Sequence, residues 1–161
     1  MLQRIHTEQE PEMLDAGNMS LHLENRQIEI GTFDPSPLSL IHLRENFPFL
    51  MDFPAHVFWM GPDPDLNKRN IYEHVHTEDE ILFCAEGKLL LFLNDREDLP
   101  PLILSIGVGY WFRIPRRIKH GFRLDPVTPW RALRFFSDPT GWMPYFTQSG
   151  IEATLDQIIL P

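Results

Sequence analysis

Glu73-His74-Val75-His76-Thr77-Glu78-Asp79-Glu80-Ile81-Leu82-Phe83-Cys84-Ala85 is the stretch on which the reading of this chain turns. Side chains alternate faces along a strand, so the imidazoles of His74 and His76 leave one strand on the same side. Thr77-Glu78-Asp79 reads as a polar turn or bulge, and Glu80 stands at the mouth of an apolar run typical of a buried strand. Two imidazoles and a carboxylate are thus expected near one another. A further donor has to come from a distant segment. Pro115-Arg116-Arg117-Ile118-Lys119-His120-Gly121-Phe122 offers one, as a proline turn leading into a strand on which His120, Phe122 and Leu124 share a face.

His74, His76, Glu80 and His120 therefore form a candidate metal site. Neutral imidazoles suit iron, nickel, copper and zinc, and a carboxylate argues against a purely thiolate site. Three imidazoles and one carboxylate neutralise only half of a divalent ion. If that ion is six-coordinate, two positions stay open for water, dioxygen or a chelating substrate, which is the arrangement of a reactive centre. His6, His22, His42 and His56 show no such spacing and are read as unrelated.

The pattern around this segment sets the fold class. Glu80–Ala85, Lys88–Leu93, Leu102–Ile106, Tyr110–Ile114, His120–Leu124 and Trp130–Phe136 are short apolar runs, separated by Glu86-Gly87, Asn94-Asp95-Arg96, Gly107-Val108-Gly109, Pro115 and Asp125-Pro126. That spacing, near the roughly 8–12 residues of a sandwich or small barrel, predicts an all-β, antiparallel jelly-roll barrel with a few short helices. Closure removes exposed strand edges and leaves an interior for inward-facing ligands. Upstream, Leu21, Leu23, Ile28 and Ile30 hint at an edge hairpin. Leu38–Asn46 reads as a short helix opening at a serine or at the second proline, and Ala55–Met60 and Ile71–His76 read as strands.

A length of 161 residues and 43% hydrophobic content suit one domain with a sizeable core. Its expected parts are a polar arm over 1–18, strands and a short helix over 20–66, the metal-binding barrel over 70–136 and a tail over 137–161. A net charge of −9 argues against nucleic acid as a partner. The first thirty residues hold no apolar run of signal-peptide length and no stretch approaches a membrane span, so a cytoplasmic protein is expected. Cys84 alone excludes an internal disulfide framework and is read as a small core residue. Arg113, Arg116, Arg117, Lys119, Arg123, Arg131 and Arg134 gather around His120 in an otherwise acidic chain, which fits an anionic small molecule as guest.

The order His74-Val75-His76, Glu80, Gly87, followed by Gly109, Pro115 and His120, resembles the two metal motifs of the cupin superfamily. Arg117 stands where the second motif has its inner glycine, Leu124 where it closes on asparagine, and Lys68 where the first motif opens on glycine. Within cupins the chain resembles the acireductone dioxygenases, on Glu73-His74-Val75-His76 with its acidic sequel, on His120-Gly121-Phe122, and on Arg131-Ala132-Leu133-Arg134-Phe135-Phe136 followed by Pro139-Thr140-Gly141-Trp142. The likeness runs from about Asn70 to Thr154.

That resemblance implies a cupin-type barrel with one Fe(II) or Ni(II) per chain on His74, His76, Glu80 and His120. The reaction it implies is dioxygen-driven cleavage of 1,2-dihydroxy-3-oxo-5-(methylthio)pent-1-ene in methionine salvage. Iron would give the keto acid precursor of methionine and formate; nickel would give carbon monoxide, formate and a shorter acid. Leu82, Phe122 and Phe92 become candidate walls for the methylthio tail, Arg113 and Arg134 candidate anion contacts, and Trp142 a candidate for the entrance, although a large aromatic after the last strand is more often core. The family commonly carries arginine where this chain has Leu82. Either another arginine supplies that charge, or the protein is a cupin oxygenase for a different enediol or diketone, or a metal-binding cupin without turnover. A monomer or small homo-oligomer is expected.

Overall fold

The computed structural model describes residues 12–14, 23, 27–36, 38–61, 65, 69–94, 101–125, 128–151 and 153. The strands among them are β1 (Glu12–Leu14), β2 (Glu29–Thr32), β3 (Ala55–Met60), β4 (His74–Val75), β5 (Glu80–Glu86), β6 (Leu89–Leu93), β7 (Leu102–Ile106), β8 (Tyr110–Ile114), β9 (His120–Leu124), β10 (Arg131–Phe136) and β11 (Tyr145–Phe146). They make two sheets that enclose the barrel interior, one in the order β1-β7-β6-β9-β4-β11 and the other β2-β8-β5-β10-β3. All pairings are antiparallel except β1 with β7.

Alternation decides what each strand buries. Leu82 and Cys84 of β5 meet Leu89, Leu91 and Leu93 of β6, Phe112 and Ile114 of β8, and Phe122 and Leu124 of β9 between the sheets. The opposite face of β5, with Ile81 and Phe83, joins Leu133 and Phe135 of β10 under Leu43, Leu50 and Phe53. Those three come from α1 (Leu40–Asn46), the 3-10 turn Pro48–Asp52 and the residue after it. Covered on both sides, β5 needs apolar residues at successive positions, which is why its sequence is a run rather than an alternation. Ser39 opens α1, its hydroxyl accepting from the His42 amide at 3.1 Å.

The six short runs fall on strands β5 to β10 with their ends shifted by one residue at most. Three expectations need correction. The polar arm contributes Glu12–Leu14 to a sheet edge, pairing with Leu102–Leu104 of β7; a main-chain ladder asks for no side-chain pattern. The strand expected over Ile71–His76 is confined to His74–Val75, because β4 pairs with β9 at His74 and His120 alone. Tyr145–Phe146, expected only as part of the tail, extends the sheet beyond β4. The proposed edge hairpin keeps β2 among the described residues, and of the closing helix or strand expected over Ile151–Leu160 only residues 151 and 153 are among them.

Candidate metal centre

His74 and His120 face each other across the β4–β9 ladder. His76 follows β4 and Glu80 begins β5, so four side chains from three places in the sheet edges meet at one end of the barrel. Ring centroids lie 4.6 Å apart for His74 and His120, 4.9 Å for His74 and His76 and 5.3 Å for His76 and His120. One nitrogen of each ring lies within 4.8 Å of those of the other two. All four residues are at most 3% exposed.

The outer nitrogens fix how these rings point. Nδ1 of His74 donates to the Tyr72 carbonyl at 2.7 Å, Nδ1 of His120 to the Ile118 carbonyl at 2.8 Å, and Nδ1 of His76 to the Met143 carbonyl at 3.0 Å. A carbonyl only accepts, so Nδ1 carries the hydrogen in each neutral ring and the Nε2 lone pairs are left to converge. Burial, followed by the neighbouring His120, drives the His74 imidazole down to about 3, so this ring stays neutral near pH 7 and can serve as a donor.

Glu80 completes the set. Its Oε2 stands 3.2 Å from Nε2 of His76 and 3.3 Å from Nε2 of His120. With hydrogens on Nδ1, these atoms would confront one another lone pair to lone pair, an arrangement relieved by a cation between them. Donors placed at right angles about 2.1 Å from an ion stand roughly 3.0 Å apart, close to these separations. The residues present therefore fit a divalent metal. Burial pushes the Glu80 carboxyl up, but the Arg134 guanidinium beside it outweighs this and holds it well below the usual carboxylate range.

Arg134, a candidate anion contact from the sequence, has a partner that sequence reasoning missed, the carboxylate of Glu80. It is 7% exposed, and its Nε lies 2.6 Å from Oε1 of Glu80. Its guanidinium stands 4.9 Å from the Phe136 ring centre and 5.9 Å from that of Phe122, both within the range of cation–π contact. Arg134 is in register with Leu82 across the β5–β10 ladder, so a cation enters from the strand beside the position where the family resemblance led us to expect one. A signal was available in the sequence: Leu133 and Phe135 belong to the face under α1, which turns Ala132, Arg134 and Phe136 inward.

Leu82 and Phe122 are fully buried in the inner core, with the Phe122 ring 5.5 Å from that of His120. Of the other three candidates, two sit elsewhere. Phe92 lies on the opposite face of β6 with Leu90 and Ile103, because alternation turns it outward between the inward Leu91 and Leu93. Arg113 is turned outward between Phe112 and Ile114; it donates to Asp79 at 2.6 and 3.0 Å and to Glu29 at 3.2 Å, and lies over Phe53. Trp142 is 51% exposed rather than core. Cys84 is buried, as its apolar strand suggested, and burial pushes its thiol up to about 11.

Sequence reasoning also missed Glu73. Buried at 2% exposure, it accepts from Asn94 Nδ2 at 2.7 Å and from the Thr147 hydroxyl, while its carbonyl accepts from the Thr147 amide at 3.0 Å. It thereby ties the strand that carries His74 to the segment following β11. The Glu78 and Asp79 carboxylates of the intervening turn are engaged by Ser137 and Arg113.

Residues 6–144 match the model of the ARD/ARD' family. Among curated proteins, the chain is 32% identical over 95 residues to an acireductone dioxygenase of Picosynechococcus sp., covering 59% of this chain and 53% of that protein. It is 33% identical over 88 residues to one from Gluconobacter oxydans, covering 55% and 46%. The chain thus spans about half the length of the curated relatives it matches. Among solved structures, an acireductone dioxygenase from Bacillus anthracis with a cadmium ion in its active center superposes with a TM-score of 0.63 at 22% identity, covering 79% of this chain and 87% of the other. That likeness carries the cupin-type fold. No helix among the described residues is long and apolar enough to cross a membrane.

Proposed function

This chain belongs to the ARD/ARD' family, and from that membership we propose that it is a metal-dependent dioxygenase cleaving an acireductone, 1,2-dihydroxy-3-oxo-5-(methylthio)pent-1-ene, with dioxygen in methionine salvage. The observation that carries the reading is the gathering of three imidazoles, each fixed by a carbonyl behind it, with a buried carboxylate whose Oε2 faces Nε2 of His76 and of His120. His74, His76, His120 and Glu80 Oε2 are the atoms that would hold Fe(II) or Ni(II). When bound, such an ion would accept the two neighbouring oxygens of an enediolate and stabilise their charge.

The remaining work falls to side chains of this chain. Three neutral donors and one carboxylate leave positive charge at the centre, and Arg134 adds another buried cation beside it. An anionic guest is favoured there, since burial of its charge is otherwise costly. Arg134 in this way answers for Leu82, which supplies no charge. Leu82 and Phe122 exclude water from the inner side and offer an apolar surface to the methylthio tail. The reading places the protein in the cytoplasm as a monomer or small homo-oligomer. Leu82 favours one competing reading, a cupin oxygenase for another small enediol or diketone.

The test is anaerobic mixing of the Fe(II) or Ni(II) protein with synthetic acireductone, followed by dioxygen, with loss of the enediolate absorbance as readout. Saturable consumption above the uncatalysed rate is expected, with products that differ between the two metals. His120→Ala is expected to strip the metal and abolish turnover while the barrel stays folded. No acceleration by either metal form rejects the acireductone in favour of another enediol or diketone, or of a metal-binding cupin without turnover.

A further inference from the structure

We infer that Arg134 is a positioning residue: by occupying Glu80 Oε1 it restricts the carboxylate to a single metal-facing oxygen and so preserves two adjacent positions for guests. The inference rests on the metal site proposed above and deepens it. A carboxylate can take an ion through one oxygen or through both. Taken through both, Glu80 with three imidazoles would fill five of six positions and leave a chelating substrate one short.

The geometry gives each oxygen a different partner. Oε1 receives Arg134 Nε at 2.6 Å, whereas Oε2 alone faces Nε2 of His76 and of His120, at 3.2 and 3.3 Å. The guanidinium is itself held in place. It lies against the Phe122 and Phe136 rings, with its Nη2 3.4 Å from Nε2 of His76. Arg134 and Glu80 are both buried, so water offers little competition for Oε1. Their strands fix the pairing: Phe136 stands opposite Glu80 and Arg134 opposite Leu82, which makes the Arg134–Glu80 contact the diagonal one across the β5–β10 ladder. Leu82 brings no second charge to compete for either group.

The test uses Mn(II) as probe on the full chain. Water-proton relaxation, together with broadening of the Mn(II) resonance in oxygen-17 water, reports how many waters the ion carries. Wild-type protein is expected to show two. Arg134→Met is expected to keep Mn(II) at wild-type stoichiometry and to lose about half of the water signal as the second carboxylate oxygen moves onto the ion. Adding Glu80→Gln, whose carboxamide offers the metal one oxygen, is expected to restore it. Arg134→Leu, which likewise leaves Oε1 without a donor, shows the same loss and decides the matter should the methionine variant fail to fold. An unchanged water count in a folded, metal-loaded variant overturns the inference. So does outright loss of Mn(II) from a folded variant, since Arg134 would then act on binding itself. Neither acireductone nor dioxygen enters the measurement, so its outcome is separate from that of the activity proposed above.

Discussion

Arg117 holds a φ of 67°, in the left-handed region that costs an L side chain about 1–2 kcal/mol. It stands where the cupin motif has glycine, and its amide donates to the His76 carbonyl at 2.9 Å, so the turn is kept although the residue that suits it is not. Arg117→Gly is expected to stabilise the fold by about 0.5–1 kcal/mol, after allowance for the entropy of glycine in the unfolded chain. The measurement is the urea midpoint; a lowered value would mean that the arginine side chain contributes more than the backbone strain removes. At this scale the sequence was informative where alternation and spacing act together. His74, His76, Glu80 and His120 could be picked out because each lies on or beside a strand of definite parity. Arg134 was harder, because what buries it is a carboxylate on a neighbouring strand, and pairing partners are not written in local sequence. Arg113, chosen by its proximity to the distal histidine, illustrates the converse: Asp79 and Glu29 hold it outside.

Strands β5 to β10 were legible because each is a short apolar run bounded by turn formers, whereas β1 and β11 were not, being two or three residues joined to their neighbours through the main chain. The contact between β6 and β9 shows how closely elements must fit to bring His120 to its place. A Cβ added at Gly121 would lie 2.2 Å from two ring carbons of Phe92 and 3.1 Å from the Asn70 carbonyl oxygen. Phe92 thus has a role other than that of a wall for the methylthio tail: its ring closes over the glycine beside His120. Gly121→Ala is expected to destabilise the protein by about 1–3 kcal/mol through overpacking, and to weaken metal binding through displacement of β9. Thermal denaturation with and without Ni(II) checks both. Wild-type stability in the variant would show that Phe92 can swing aside.

For the molecule as a whole, gathering ionisable groups in a buried place makes the metal-free protein sensitive to acid. His74 titrates at 6.5 in the unfolded chain and at about 3 in the folded one, so below pH 6.5 the unfolded state binds a proton that the folded state does not. Its contribution is intact above that pH and is lost as the pH falls toward 3, at up to about 1.4 kcal/mol per unit. Glu80, also depressed, has the same sign and extends the loss below its ordinary 4.5. The melting temperature of metal-free protein should decline steadily from pH 6.5 to 4.5; a flat profile would refute this account. The barrel was foreseeable as a whole because closing two sheets satisfies many short strands at once, while the part that the segment after β10 plays in aiming His76 was not. Of the three rings, His74 and His120 are aimed by carbonyls two residues away, but His76 is aimed by Met143, 67 residues downstream. Synthesis must therefore run past Met143 before all three rings can be aimed, so the nascent chain acquires its full grip on a metal ion only after nearly all of the barrel has emerged.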